Sequence, residues 1–245
     1  MKPAGEPMAG ELKSQARLAG LLYLAVVATG IFSLGYVPSQ VNVAEDWPAT
    51  TENIVAHESL FRFGIAAFLL KQVAFLLLPL ALYRVLGDAQ RTAGVAMVAF
   101  AGASVPLALV ALGNKLDVLS LLTDPLLAAT IAPSQLQALA AQAMDAYGNG
   151  LVATRLFWGL WLLPFGWLVL KSGRMPKVLG IVLMFGCLGY LVDVFGALLV
   201  SGYVDSTVAR YAMLPASIGE IGACLWLLLF GVRIPARATL NEDMA

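Results

Sequence analysis

Six runs of this chain, residues 18–37, 60–86, 92–116, 151–170, 178–200 and 213–232, are apolar along most of their length. A helix rises about 1.5 Å per residue, so about 20 apolar residues cross a hydrocarbon core about 30 Å thick. Each run meets that length, which predicts an all-α polytopic membrane protein with six transmembrane helices. The composition agrees. Hydrophobic residues make up 60% of the chain and charged residues only 12%, about half the 25% or so of a soluble domain. A soluble enzyme and a disordered chain are therefore excluded. Two cysteines are too few for a disulfide scaffold. Fifteen basic residues balanced by fifteen acidic ones leave no excess for nucleic acid.

The basic residues assign an orientation, because cytoplasmic loops are rich in Lys and Arg. Lys2, Lys13, Arg17, Arg84, Arg91, Lys171, Arg174, Lys177, Arg233 and Arg237 all fall on one side. The opposite loops hold only Lys115 and Arg210. The expectation is N-in and C-in in a bacterial plasma (inner) membrane. Residues 1–17 form a cytoplasmic segment, 18–233 a single six-helix domain, and 234–245 a cytoplasmic tail. Span one also has the basic start and apolar run of a signal peptide. Its run exceeds the 7–15 or so residues of a signal core and no small-x-small cleavage site follows, so a retained helix is expected. Cys187 and Cys224 fall inside spans and read as reduced packing residues.

The outer segments carry local signals. Residues 38–59 contain Glu45, Asp46, Glu52 and Glu58 but no Lys or Arg; Tyr36 and Trp47-Pro48 read as interface anchors. The single histidine, His57, lies here without a second His or a Cys nearby, which makes a poor metal site. Between spans three and four, Asp124-Pro125 fits a helix cap with Pro in the first turn. Pro133-Ser134 restarts a helix in which Leu136, Leu139, Ala140, Ala143, Met144 and Tyr147 form one stripe. Gln135, Gln137, Gln142 and Asp145 lie off it. The pattern predicts an amphipathic helix in the outer loop, ending at Gly148.

Four charges fall well inside spans: Lys71, Arg155, Asp193 and Glu220. An ionised group at mid-bilayer costs about 2.5–3.5 kcal/mol on insertion scales, so such groups face the protein interior. Helical phase supports that placement. Asp193 shares a stripe with Gly186, Gly189 and Gly196, and Glu220 with Ala216, Ser217, Ala223 and Cys224. Arg155 shares one with Gly159 and Gly166, and Lys71 with Gly64 and Ala67. Small residues mark close helix packing in membranes. At about 1.5 Å per residue, Asp193 and Glu220 lie roughly 10 Å from the outer end of their spans, Arg155 roughly 6 Å and Lys71 roughly 16 Å. Arg62, Asn114, Lys115, Asp117 and Tyr190 form the expected periphery of this outward-facing cluster.

Two readings of the cluster follow. In one, buried ion pairs fix helix register and the protein is a non-catalytic scaffold or accessory subunit. In the other, the charges line a site that binds or transports a small polar, amphiphilic or lipid-like ligand within the bilayer. An enzyme is the least favoured class. The chain has no G-x-S-x-G, no intramembrane Ser/His pair, no intramembrane histidines for zinc, and no phosphate-binding loop or haem attachment motif. No cofactor, metal or protein partner is indicated.

Several segments carry a family resemblance. Arg17-Leu18-Ala19-Gly20 with Tyr23 enters span one, Phe61-Arg62-Phe63-Gly64 opens span two, and Tyr83-Arg84 closes it. Further on come Ser172-Gly173-Arg174-Met175-Pro176-Lys177-Val178-Leu179-Gly180 and Gly189-Tyr190-Leu191-Val192-Asp193. The last runs from Leu214-Pro215 through Ile218-Gly219-Glu220 to Trp226-Leu227. Over residues 15–233 the chain resembles the uncharacterised bacterial membrane proteins grouped as domain of unknown function 4386. The resemblance implies a multi-pass helical protein and carries no activity with it.

Overall fold

The computed structural model describes residues 9–233; the first eight residues, with Lys2, and the expected tail 234–245, with Arg237, lie outside the described residues. Among the described residues there is no strand. Helix α1 (Ala9–Gly30) runs through a π-helical stretch, Ile31–Tyr36, into α2 (Val37–Val41). Then follow α3 (Trp47–Ala56), α4 (Glu58–Leu86), α5 (Arg91–Thr123), α6 (Pro125–Thr130) and α7 (Pro133–Leu160). The chain continues through α8 (Leu162–Ser172), α9 (Lys177–Leu199), a 3-10 turn at Tyr203–Asp205, α10 (Thr207–Ala212) and α11 (Leu214–Leu229). Six helical stretches are long and apolar enough to cross a membrane: Gly10–Val41, Glu58–Leu86, Arg91–Thr123, Pro133–Ser172, Lys177–Leu199 and Thr207–Leu229.

The outward faces of these helices are themselves apolar. Leu70 on α4, Val110 on α5, Leu199 on α9, and Ile218 and Leu229 on α11 are all more than 60% exposed. Lys71, Gln72, Ser104, Lys115, Thr154 and Asp193 are buried. A soluble protein does not expose apolar surface on this scale; hydrocarbon solvent accounts for the inversion.

The six spans agree with the apolar runs, and their ends differ for local reasons. Asp124 caps α6 as its sequence suggests, its Oδ1 accepting from the Leu126 N–H at 2.8 Å. Asp46 does the same for α3, accepting from Ala49 N–H at 2.9 Å. His57 closes α3; it is exposed and its Nδ1 lies 3.1 Å from the Asn53 carbonyl oxygen. The helix that begins at Pro133 does not end at Gly148. It continues to Leu160, since an interior glycine costs only about 1 kcal/mol of helix propensity. Close packing favours small residues there: a Cβ on Gly150 would lie 2.7 Å from that of Ala111. The break comes instead at Trp161. Pro164 lacks an N–H and its ring crowds the carbonyl four residues back, that of Leu160.

The chain forms two compact units. Among the described residues, one comprises 9–24, 75–103 and 155–233, the other 25–74 and 104–154. In the first, Tyr23, Phe75, Trp161 and Phe165 form an aromatic centre; the Trp161 and Phe165 rings stack with centroids 5.3 Å apart, and Phe75 meets Trp161 edge-on at 5.2 Å. Gly166 and Gly180 bring α8 against α9, where a Cβ on Gly180 would fall 2.7 Å from the Gly166 carbonyl oxygen. Helix α8 ends on Gly173 at φ 64°, the left-handed cap that glycine adopts without strain. The turn beyond it is held by Arg174. Its guanidinium forks onto both Asp88 carboxylate oxygens at 2.6 and 2.7 Å and also donates to the Val85 carbonyl oxygen. In the second unit, Val37 packs on Gly64 and the Lys71 side chain lies against Gly30.

Candidate functional site

Within the first unit, Arg155 near the end of α7 and Asp193 on α9 form an ion pair, Nη1 to Oδ2 at 2.7 Å. The local sequence explains why they meet. One turn after Arg155 comes Gly159, and one turn before Asp193 comes Tyr190. A Cβ on Gly159 would overlap the Tyr190 Cβ, so the two backbones approach closely enough for the charges on the adjacent turn to touch. Asp193 keeps 12% of its side-chain surface and Arg155 34%. The contact is single-point. Among the described residues, Nε and Nη2 of Arg155 and Oδ1 of Asp193 have no hydrogen-bond partner.

Glu220, half-buried on α11, accepts a long hydrogen bond from the buried Tyr23 hydroxyl at 3.4 Å. Tyr190 is buried and lies within electrostatic reach of Glu220, Arg155 and Asp193 together. Three of the four intramembrane charges thus gather around one tyrosine. Tyr203, in the turn after α9, packs on Gly196, one turn beyond Asp193. Burial first, and the Asp193 charge second, push its hydroxyl above the ordinary tyrosine value. Sequence reading missed Tyr203; the signal was Gly196 on the Asp193 stripe, a small residue that leaves room for a ring.

The other predicted residues lie in the second unit. Lys71 is buried on α4, with Nζ 5.5 Å from the Phe68 ring centre. Lys115 is buried on α5. Its neighbours diverge: Asn114 turns its amide N–H to the Ala111 carbonyl at 3.1 Å, and Asp117 is exposed. Arg62 is exposed and pairs with Glu58 one turn back at 2.6 Å. Cys187 and Cys224 are free and buried. No three His, Cys, Asp or Glu side chains gather into a metal-sized group among the described residues.

Spanning helices with apolar outer faces and inward charges define a multi-pass helical membrane protein. The chain belongs to the family described as domain of unknown function (DUF4386), whose model matches residues 18–231. It is also similar to an uncharacterised protein of Archaeoglobus fulgidus, 34% identical over 79 residues. That stretch covers 32% of this chain and 44% of the relative, less than half of its length. No solved structure matches the chain.

Proposed function

We propose that this protein binds or translocates a small polar or amphiphilic solute in the plasma membrane, at the Arg155–Asp193–Glu220 cluster, with both termini at the cytoplasm. The observation that carries this reading is the single-point contact of Arg155. A guanidinium has five donors in a fixed fork, and a pair that served packing alone would engage the fork fully, as Arg174 does on Asp88. Arg155 instead keeps two nitrogens and a third of its surface for another acceptor. Asp193 and Glu220 supply acceptors for a donor on the same solute. Lys71 belongs to the other unit, and the proposed site is drawn without it.

The test is a panel of small carboxylates, amines and phosphate esters screened by thermal unfolding of the detergent-purified chain, then by uptake into vesicles. A solute that stabilises the wild type should lose its effect in Asp193→Asn and Glu220→Gln while both variants still fold. Variants that fold and respond like wild type throughout would remove this reading. Thiol labelling of Ala89→Cys from the inner side and Ala129→Cys from the outer side checks the orientation.

The scaffold reading draws on the 2.7 Å contact itself, which is short enough to fix the register of α7 on α9. It expects Arg155→Met with Asp193→Leu together to restore the stability that either change alone removes.

A further inference from the structure

The second unit holds a buried lysine that the Arg155–Asp193 reading does not use. Lys115 on α5 is only 4% exposed. Its Nζ sits over the Tyr147 ring, 4.5 Å from the centre, and 5.5 Å from the Phe61 ring centre. Phe68 packs edge-on against Tyr147 with centroids 6.2 Å apart. Aromatic faces attract the ammonium but accept none of its three N–H donors in a full hydrogen bond. Among the described residues Lys115 has neither a carboxylate nor a hydrogen-bonded acceptor. The Tyr147 hydroxyl is also buried without a hydrogen-bond partner. One turn along α4 from Phe68, both amide atoms of the buried Gln72 are likewise unpartnered.

These unpaired groups share a chemistry. Lys115 is donor-only, and the Tyr147 hydroxyl has a proton to give. What satisfies both is an acceptor, and what offsets a buried ammonium is a negative charge. An ammonium above a ring face and a hydroxyl at that ring's edge can both reach one intervening atom, each through a hydrogen bond of about 3 Å. The phenyl rings of Phe61 and Phe68, each 1% exposed, close the surroundings and favour a small occupant with one charge. A water molecule could bridge the donors but would leave the charge.

We infer that Lys115 and Tyr147 form a binding site for a small monovalent anion, of halide or formate size, separate from the Arg155 cluster. The site stands on geometry in one unit and is independent of the function proposed above.

The test uses the full chain in detergent at constant ionic strength, with sodium gluconate replaced stepwise by chloride, formate or phosphate while thermal unfolding is followed. Chloride and formate should raise the midpoint saturably, and phosphate, larger and more highly charged, should not. Lys115→Met should abolish the response. Tyr147→Phe should weaken the chloride affinity about tenfold, through loss of one hydrogen bond. Arg155→Gln should keep the response in full. The inference is overturned by a midpoint indifferent to which anion is present, or by an undiminished response in Lys115→Met. A response lost in Arg155→Gln but kept in Lys115→Met would move the anion to the other cluster, and a stronger response to phosphate than to chloride would overturn the size assignment. If Lys115→Met does not fold, wild-type chloride affinity in Tyr147→Phe overturns the site.

Discussion

Gly159 and Tyr190 approach so closely that no side chain fits between them, and the contact between Arg155 and Asp193 on the neighbouring turn follows from that approach. The charge pair is therefore read as dependent on a glycine, and changes at either level should register at the other.

Gly159→Ala is expected to lower stability by about 1–3 kcal/mol, the usual cost of overpacking a tight interface. The obstacle is the Tyr190 Cβ, which cannot swing aside as a side-chain tip can. Thermal unfolding in detergent measures the effect. The change should also weaken the coupling between Arg155 and Asp193.

That coupling is read with a double-mutant cycle. Arg155→Gln and Asp193→Asn should each destabilise by about 1–3 kcal/mol, the range for a charged hydrogen bond. Arg155 is a third exposed, so solvent screening places the value toward the lower end. The cycle should return a coupling of about 0.5–2 kcal/mol; additive effects would show that the two side chains do not interact in the membrane protein.

Arg174→Lys should destabilise almost as much as Arg174→Ala. A lysine is a point charge and cannot hold both Asp88 oxygens and the Val85 carbonyl in one plane. Asp88 is mostly exposed, so the loss should be about 1 kcal/mol. Limited proteolysis in the 86–91 turn provides a second readout.

Tyr203→Phe should be neutral or slightly stabilising near neutral pH, because it removes a buried hydroxyl that has no hydrogen-bond partner. The alkaline limb should change as well. The hydroxyl's folded value lies above its unfolded value of about 10. Its contribution is therefore fully present below pH of about 10 and is lost as pH climbs from there toward the folded value. The stability of wild type minus that of Tyr203→Phe should fall across that window, measured by thermal unfolding from pH 9 upward, and a flat difference would contradict the burial of this hydroxyl.

The spans were legible because lipid imposes a long apolar requirement on every crossing, and composition alone satisfies it. Their ends were not. Gly148 reads locally as a stop, yet tertiary contact at Gly150 carries the helix past it, and the break at Trp161 is set by a proline three residues downstream. The π-helical stretch at Ile31–Tyr36 has no local signature that a helical pattern would reveal. Among the site residues, phase placed Asp193, Glu220 and Arg155 inward. Lys115, counted with the outer loops from the sequence, instead lies buried within α5, and Ala108, Ala111, Leu112, Val118 and Leu119 on its stripe are buried with it. Phase could not show which charges meet. That depends on which helices neighbour one another, and the small residues that draw them together recur on every span.

The uninterrupted start of α7 bears on how this protein can be handled. Helix α7, Pro133–Leu160, holds 28 residues, which at about 1.5 Å each extend about 42 Å, longer than the about 30 Å of the hydrocarbon core. Its first turns, with Gln135, Gln142 and Asp145 exposed, are the part suited to water. A 25.9 kDa chain thereby carries one helix longer than a single crossing requires. A binder or fusion seated on those exposed first turns would give electron microscopy an alignment mark.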